Sequence, residues 1–186
     1  MNIDKTKYYL VLLVAALVTG LDQLTKVIVC KTIPLYGRIE VLADFFNLIH
    51  IRNSGIAFGL FKQFGSQFKV LSLICISLVS LIVIGYLITQ IKQNDRLQTA
   101  GLALILGGAI GNLIDRFRLG EVIDFLDVHW QNAYHWPAFN VADSAITVGI
   151  VIMIYCELFK GRHHHEHAHT SDKPHKSEPK QSTPQS

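Results

Sequence analysis

Apolar residues in this chain are gathered into long, nearly unbroken runs. Four of them cover residues 8–29, 68–90, 97–114 and 141–159. A helix that crosses a bilayer needs about 20 mostly apolar residues, and each run approaches that length. A soluble chain of 186 residues can bury one good core but does not carry several runs of this kind. The pattern predicts an integral membrane protein of four helices, with both termini on the same side. The first run, YYLVLLVAALVTGL, is followed by DQLTK and not by a small-residue cleavage site, so it reads as an uncleaved span.

The stretches between the runs are not plain linkers. Residues 30–67 are too polar to span and contain two β-like segments, 37–41 and 45–51, with a turn at Asn53-Ser54-Gly55. Leu35, Tyr36, Phe45, Phe46, Ile56, Phe58 and Phe61 make this connection amphiphilic, which predicts that it lies on the bilayer surface. His50 and Arg52, two apart on a strand-like segment, share a face; for His50 a structural place is the simpler reading. Residues 107–144 leave the third run through Gly107, Gly108 and Gly111, where the Gly107/Gly111 spacing allows close helix packing. They then cross a polar connection carrying Asp115, Glu121, Asp124 and Asp127, and enter the last run with Asp143 near its first turn. Asp22 and Lys26, four apart near the end of the first span, lie on one helix face as a pair. Lys26 is expected to ease its cost by reaching toward the interface.

Composition adds exclusions. The formal net charge is +3 and no basic stripe alternates with aromatics, which argues against nucleic acid as a partner. Cys30, Cys75 and Cys156 are far apart and make neither a metal spacing nor a disulfide framework, so no metal and no cofactor is called for. Basic residues flank both sides of the bilayer about equally and leave orientation open. The tail, 161–186, with its HHHEHAH run, reads as disordered and is given no part in the chemistry. The expected organisation is a membrane domain over 1–160, its surface connection over about 30–67, followed by that tail.

No GxSxG, HExxH or P-loop is present, so an enzyme built on this chain has to use carboxylates. Two aspartates held close cannot both ionise cheaply and share a proton, which supplies a general base and a general acid together. Asp143 sits in FNVADS, where Asn140 is placed to cap a helix and Asp143 falls at its third position. Asp124 sits in EVIDFLD among Val122, Ile123, Phe125 and Leu126. Asp127 and Asp115 compete for the second place in such a pair, although Asp115, beside Arg116, reads more simply as pairing locally or supporting the fold. A proton-coupled transporter and a non-enzymatic membrane assembly factor are the alternatives from other classes. Acids gathered toward one boundary of the membrane, not midway along a helix, favour chemistry on a membrane-held substrate.

DQLTK at 22–26, NSGIAF at 53–58, GGAIGNLIDR at 107–116, VIDF at 122–125 and FNVADS at 139–144 occur in this order. Together they resemble the bacterial lipoprotein signal peptidase family, signal peptidase II, over nearly the whole chain outside the extreme N-terminus and the tail. The resemblance implies an aspartyl endopeptidase of the bacterial inner membrane. Such an enzyme removes signal peptides from diacylglyceryl-modified prolipoproteins by cutting before the lipidated cysteine. It implies that Asp124 and Asp143 form the catalytic dyad, and that Asn53, Asn112, Arg116 and Asn140 position substrate or dyad. Asp22, Lys26, Gly107, Gly108 and Asp115 become supporting residues. It further implies cytoplasmic termini, an active site near the outer face, an extracytoplasmic β-cradle within the 30–67 connection, and membrane lipid as a partner. A monomer is expected. In fold class the expectation is therefore an all-α membrane protein of four transmembrane helices carrying one small β-cradle.

Overall fold

The computed structural model describes residues 5–55, 66–131 and 133–160. Ile56, Phe58 and Phe61 of the amphiphilic connection, and the tail 161–186, lie outside the described residues. Among the described residues four helices form: α1 (Lys5–Thr32), α2 (Ser66–Gln90), α3 (Arg96–Leu119) and α4 (Val141–Lys160). Each is long and apolar enough to cross a membrane. α3 is the central one and packs against α1, α2 and α4. Half of its most apolar window is buried, against 11% for α2, so α2 shows most of its surface outward. The outward faces are rows of large apolar side chains, such as Leu12, Leu13, Leu17, Leu21 and Leu24 of α1 and Ile76, Val79, Ile82, Val83 and Tyr86 of α2. In water such faces carry a large hydrophobic cost; in hydrocarbon they carry none.

Glycines set the helix spacing. A Cβ on Gly107 would stand 2.8 Å from the Ala15 carbonyl oxygen and from Val18 Cβ of α1, and one on Gly111 would stand 2.6 Å from Asp22 Oδ2. On the other side of α3, a Cβ on Gly108 would collide with the Ala142 carbonyl oxygen and Ile146 of α4. The small-residue face thus seats α1, and Gly108 seats α4, with backbones nearly touching. Thr19 Oγ1 adds a hydrogen bond across the α1–α3 contact to the Gly107 carbonyl, 3.0 Å.

The four-stranded antiparallel sheet has the order β1 (Arg38–Leu42), β2 (Phe46–Asn53), β3 (Val122–Trp130) and β4 (Tyr134–His135). β1 and β2 are the two strands expected in the first long connection. β3 and β4 correct the expectation that a plain polar connection joins the third and fourth apolar runs and that a β-cradle within residues 30–67 alone completes an otherwise all-α fold. β3 pairs with β2 in the register Asn47↔Asp127, Ile51↔Asp124 and Asn53↔Val122. The sheet is anchored to the bundle by an apolar cluster of Val29 of α1 and Ile33 just after it with Phe125 of β3. After β4 the chain doubles back along β3, where Phe139 exchanges backbone hydrogen bonds with Leu126 (2.9 and 3.1 Å) and accepts one from Phe125 N (3.1 Å). That bridge delivers Asn140 and the start of α4 to the side of β3 next to Asp124.

Candidate active site

The sheet and the ends of three helices converge on two groups of acids. The first is centred on Lys26. Its ammonium contacts Asp22 Oδ2 at 2.8 Å and Asp115 Oδ2 at 2.7 Å, and donates to Asn112 Oδ1 at 3.1 Å. An ammonium has three protons, and these three partners use all of them. Lys26, Asp22 and Asp115 are each at most 1% exposed. Lys26 therefore does not reach toward the interface; the expected Asp22–Lys26 pair is present, and Asp115 pairs with Lys26 in place of its neighbour Arg116, in a buried ion cluster between α1 and α3. Buried charges demand full pairing, and Lys26 can reach two acids only because the glycines bring the helices so close. Asp22 also accepts from the Ala142 backbone N–H at 3.0 Å, so an acid of α1 caps the first turn of α4. Asp115 Oδ2 accepts from Ile123 N at 3.2 Å and so pins the start of β3.

The second group holds Asp124 and Asp143. Asp124 is 1% exposed, and Asp143 is half-buried. Asp124 accepts one amide on each oxygen: Asn53 Nδ2 at 2.8 Å on Oδ2 and Asn140 Nδ2 at 2.8 Å on Oδ1. Asn140 is the N-cap of α4. Its Oδ1 accepts from Asp143 N at 2.9 Å, and its own N–H donates to Asp143 Oδ2 at 3.3 Å, a reciprocal capping pair. The remaining oxygen, Asp143 Oδ1, accepts from Asn112 Nδ2 at 2.8 Å. Asn140 Nδ2 also lies 3.2 Å from Asn112 Oδ1, and Lys26 holds that same oxygen. Asn140 thus touches both acids, and Asn112 links them to the ion cluster. Arg116, half-buried, donates from Nη1 to the Asn112 carbonyl at 3.3 Å.

Burial pushes the Asp124 carboxyl up to about 6; the Asn53 hydrogen bond pulls it down, and the charge of Asp143 pushes it further up. A carboxyl so placed holds a proton nearer neutrality than an exposed one does. Asp143 lines an open groove of about 520 Å³ together with Trp136, Pro137, Ala138, Phe139 and Val148, with Ser144 and Thr147 as its polar members.

Every residue that the family resemblance names for this site lies in or against one of the two groups or, as with Gly107 and Gly108, in the helix contacts beneath them. Gln23 was missed. Its Nε2 donates to Asp115 Oδ1 at 3.0 Å, Gly111 O at 3.1 Å and Asp22 Oδ2 at 3.2 Å, closing the ion cluster from one side. Its place inside DQLTK was the available signal. His50 is buried, with Nδ1 2.8 Å from the Ile33 carbonyl oxygen and away from both groups. Asp127, the rival for the acid pair, lies on the opposite face of β3 from Asp124 and bonds Asn47 and His135 instead.

A model of the family described as "Signal peptidase (SPase) II" matches residues 14–159. The lipoprotein signal peptidase of Syntrophotalea carbinolica is 42% identical over 158 residues, covering 85% of this chain and 96% of that protein. That of Geobacter sulfurreducens is 49% identical over 133 residues, covering 72% and 81%. A bacterial membrane enzyme solved by the in meso method at 1.9 Å superposes with a TM-score of 0.71 and 34% identity, over 80% of this chain and 92% of that one.

Proposed function

The chain belongs to the signal peptidase II family, and from that premise we propose that Asp124 and Asp143 are its catalytic pair. It is a multi-pass membrane peptidase that removes signal peptides from prolipoproteins. The observation that carries the assignment of the pair is Asn140, which holds Asp143 by a reciprocal cap and Asp124 by a 2.8 Å hydrogen bond. Two acids tied to one residue, with amides rather than a cation as their nearest partners, are arranged to share a proton.

In this reading Asp143 draws a proton from the attacking water. It sits in the first turn of α4, where the helix dipole favours negative charge. Asp124, 1% exposed, holds the shared proton and donates a hydrogen bond to the scissile carbonyl as it becomes tetrahedral. Asn112 and Asn140 fix the two carboxyls relative to each other. Asn53, on the exposed end of β2, and Arg116 face the substrate and position its backbone. Asp22, Lys26 and Asp115 support the site, and Gly107 and Gly108 let them approach it.

The membrane domain spans 1–160 and works as a monomer in the bacterial inner membrane, with cytoplasmic termini and the sheet on the outer side. Exposed Trp136 in the groove lining, with exposed Trp130 and Tyr134 paired on β3 and β4, supports an interfacial seat for the sheet, since such rings favour the headgroup level. The groove beside Asp143 takes the apolar part of the substrate, lipid chain or signal helix. Cleavage before the diacylglyceryl-modified cysteine then follows from holding substrate at that level. The test is cleavage of one precursor with and without its diacylglyceryl group by protein in bilayers. Only the lipidated form is cut efficiently; equal cleavage of both forms would remove lipid recognition from this reading.

A further inference from the structure

We propose that Asp127, His129 and His135 form a structural site for a divalent first-row transition-metal ion, zinc in the first place, on the face of β3 opposite Asp124. Asp127 and His129 are two apart on β3 and leave the same face of the strand. His129 is the register partner of His135 on β4, and Asp127 that of Asn47 on β2. The carboxylate and imidazole donor atoms of the three residues lie within 4.8 Å of one another. His135 Nδ1 is 2.9 Å from Asp127 Oδ1, and His129 Nδ1 is 3.9 Å from Asp127 Oδ2. The two imidazoles stack with centroids 4.8 Å apart and planes 14° from parallel.

The donor set selects the ion. Two imidazoles and one carboxylate suit zinc and its neighbours; calcium and magnesium ask for more oxygens, and copper(I) for thiolates or thioethers. Zinc binds nitrogen and oxygen at about 2.0–2.2 Å, so the three donors need only a small inward movement. Asn47 Nδ2 stands 3.5 Å from His129 Nδ1, so the carboxamide of Asn47 borders the same three donors. On loading, His135 Nδ1 presents its lone pair to the ion in place of its contact with Asp127, and the neutral ring carries its proton on Nε2.

A second observation points the same way. Asn47 is 1% exposed, and its Oδ1 is buried with no hydrogen-bond partner. A half-turn of its carboxamide would aim this oxygen at Asp127 and His129. That orientation is repulsive toward a bare carboxylate 2.9 Å away and favourable only with a cation between them. The fold also has a use for the ion. β4 is two residues long, and so short a hairpin is marginal alone. A metal held by Asp127, His129 and His135, with Asn47 as an oxygen donor, would clip β2, β3 and β4 together around the strand that carries Asp124.

The experiment uses the full-length protein with His163, His164, His165, His167, His169 and His175 of the tail replaced by Gln, so that the tail adds no imidazole ligands. Zinc chloride is titrated by calorimetry, and cobalt(II) is followed by its visible absorption. One ion per chain is expected. His135→Gln changes a ring that is 45% exposed and so leaves the core intact. It should weaken zinc binding by roughly 100-fold or more, because even the outer partners of metal ligands are worth about 10–100-fold. It should also abolish the absorption of the cobalt form and the rise in unfolding temperature that zinc gives the parent. Zinc binding that His135→Gln leaves unchanged, or no binding at all in the tail-substituted parent, overturns the site and leaves a cluster held by hydrogen bonds alone.

Discussion

The two groups of acids lie side by side and share Asn112, yet they are built on opposite principles. Around Lys26, two carboxylates at 2.8 and 2.7 Å flank one cation, and all three groups are sealed from solvent. Around Asn140, two carboxylates are held by neutral amides, and one of the two is half-exposed. A cation between two acids compensates their charge in place, which fits the supporting role proposed for the first group. Amides satisfy hydrogen bonding without cancelling charge, so the second group keeps a proton in play. The same residue type is thus scaffold in one place and proposed reagent in the other, and the partner decides which.

The sharpest way to break this contrast is to neutralise one acid at a time. Asp124→Asn and Asp143→Asn are each expected to lower cleavage of a lipidated precursor by roughly 10⁴-fold or more, as loss of one member of a catalytic unit does, with the protein still folded and inserted. Removing the cation should do the reverse. Lys26→Met strands Asp22 and Asp115, each at most 1% exposed. It should cost about 3–5 kcal/mol of stability, read from denaturant unfolding in detergent, and activity should be lost along with the fold. Asn140→Ala acts on the hinge between the two behaviours. Loss of the cap costs about 0.5–2 kcal/mol, while kcat falls and KM changes little, because the residue touches the acids and not the substrate.

The smallest effect is one of pH. Because burial lifts Asp124 to about 6, the pair holds its shared proton below that value and loses it above. kcat/KM in bilayers should therefore fall as pH rises through the region near 6. A profile flat from pH about 5 to 8 would show that no such proton is needed.

The spans were legible because a bilayer imposes a length on apolar runs that nothing else in a sequence imitates. The cap was legible too, since Asn140 and Asp143 are three residues apart and their bonds are local. β3 was hidden. Its first four residues, Val122–Asp124 and Phe125, are all buried, so no alternation of polar and apolar positions marks it as a strand. Missing β3 also concealed the histidine and aspartate face opposite Asp124. The pairing of Lys26 with Asp115 was out of reach for a different reason: it depends on how closely Gly107 and Gly111 let α3 approach α1, a property of packing and not of spacing.

The most direct measurement follows the carboxyl carbon of Asp124 by NMR as pH is varied, in the intact protein and in Asp143→Asn. Two acids that share a proton titrate as a unit. The intact protein should show Asp124 with an apparent value near 6, and replacing Asp143 should move it down, because a like charge has been removed. An Asp124 titration that is the same in both proteins would contradict the coupled pair on which the proposed chemistry rests.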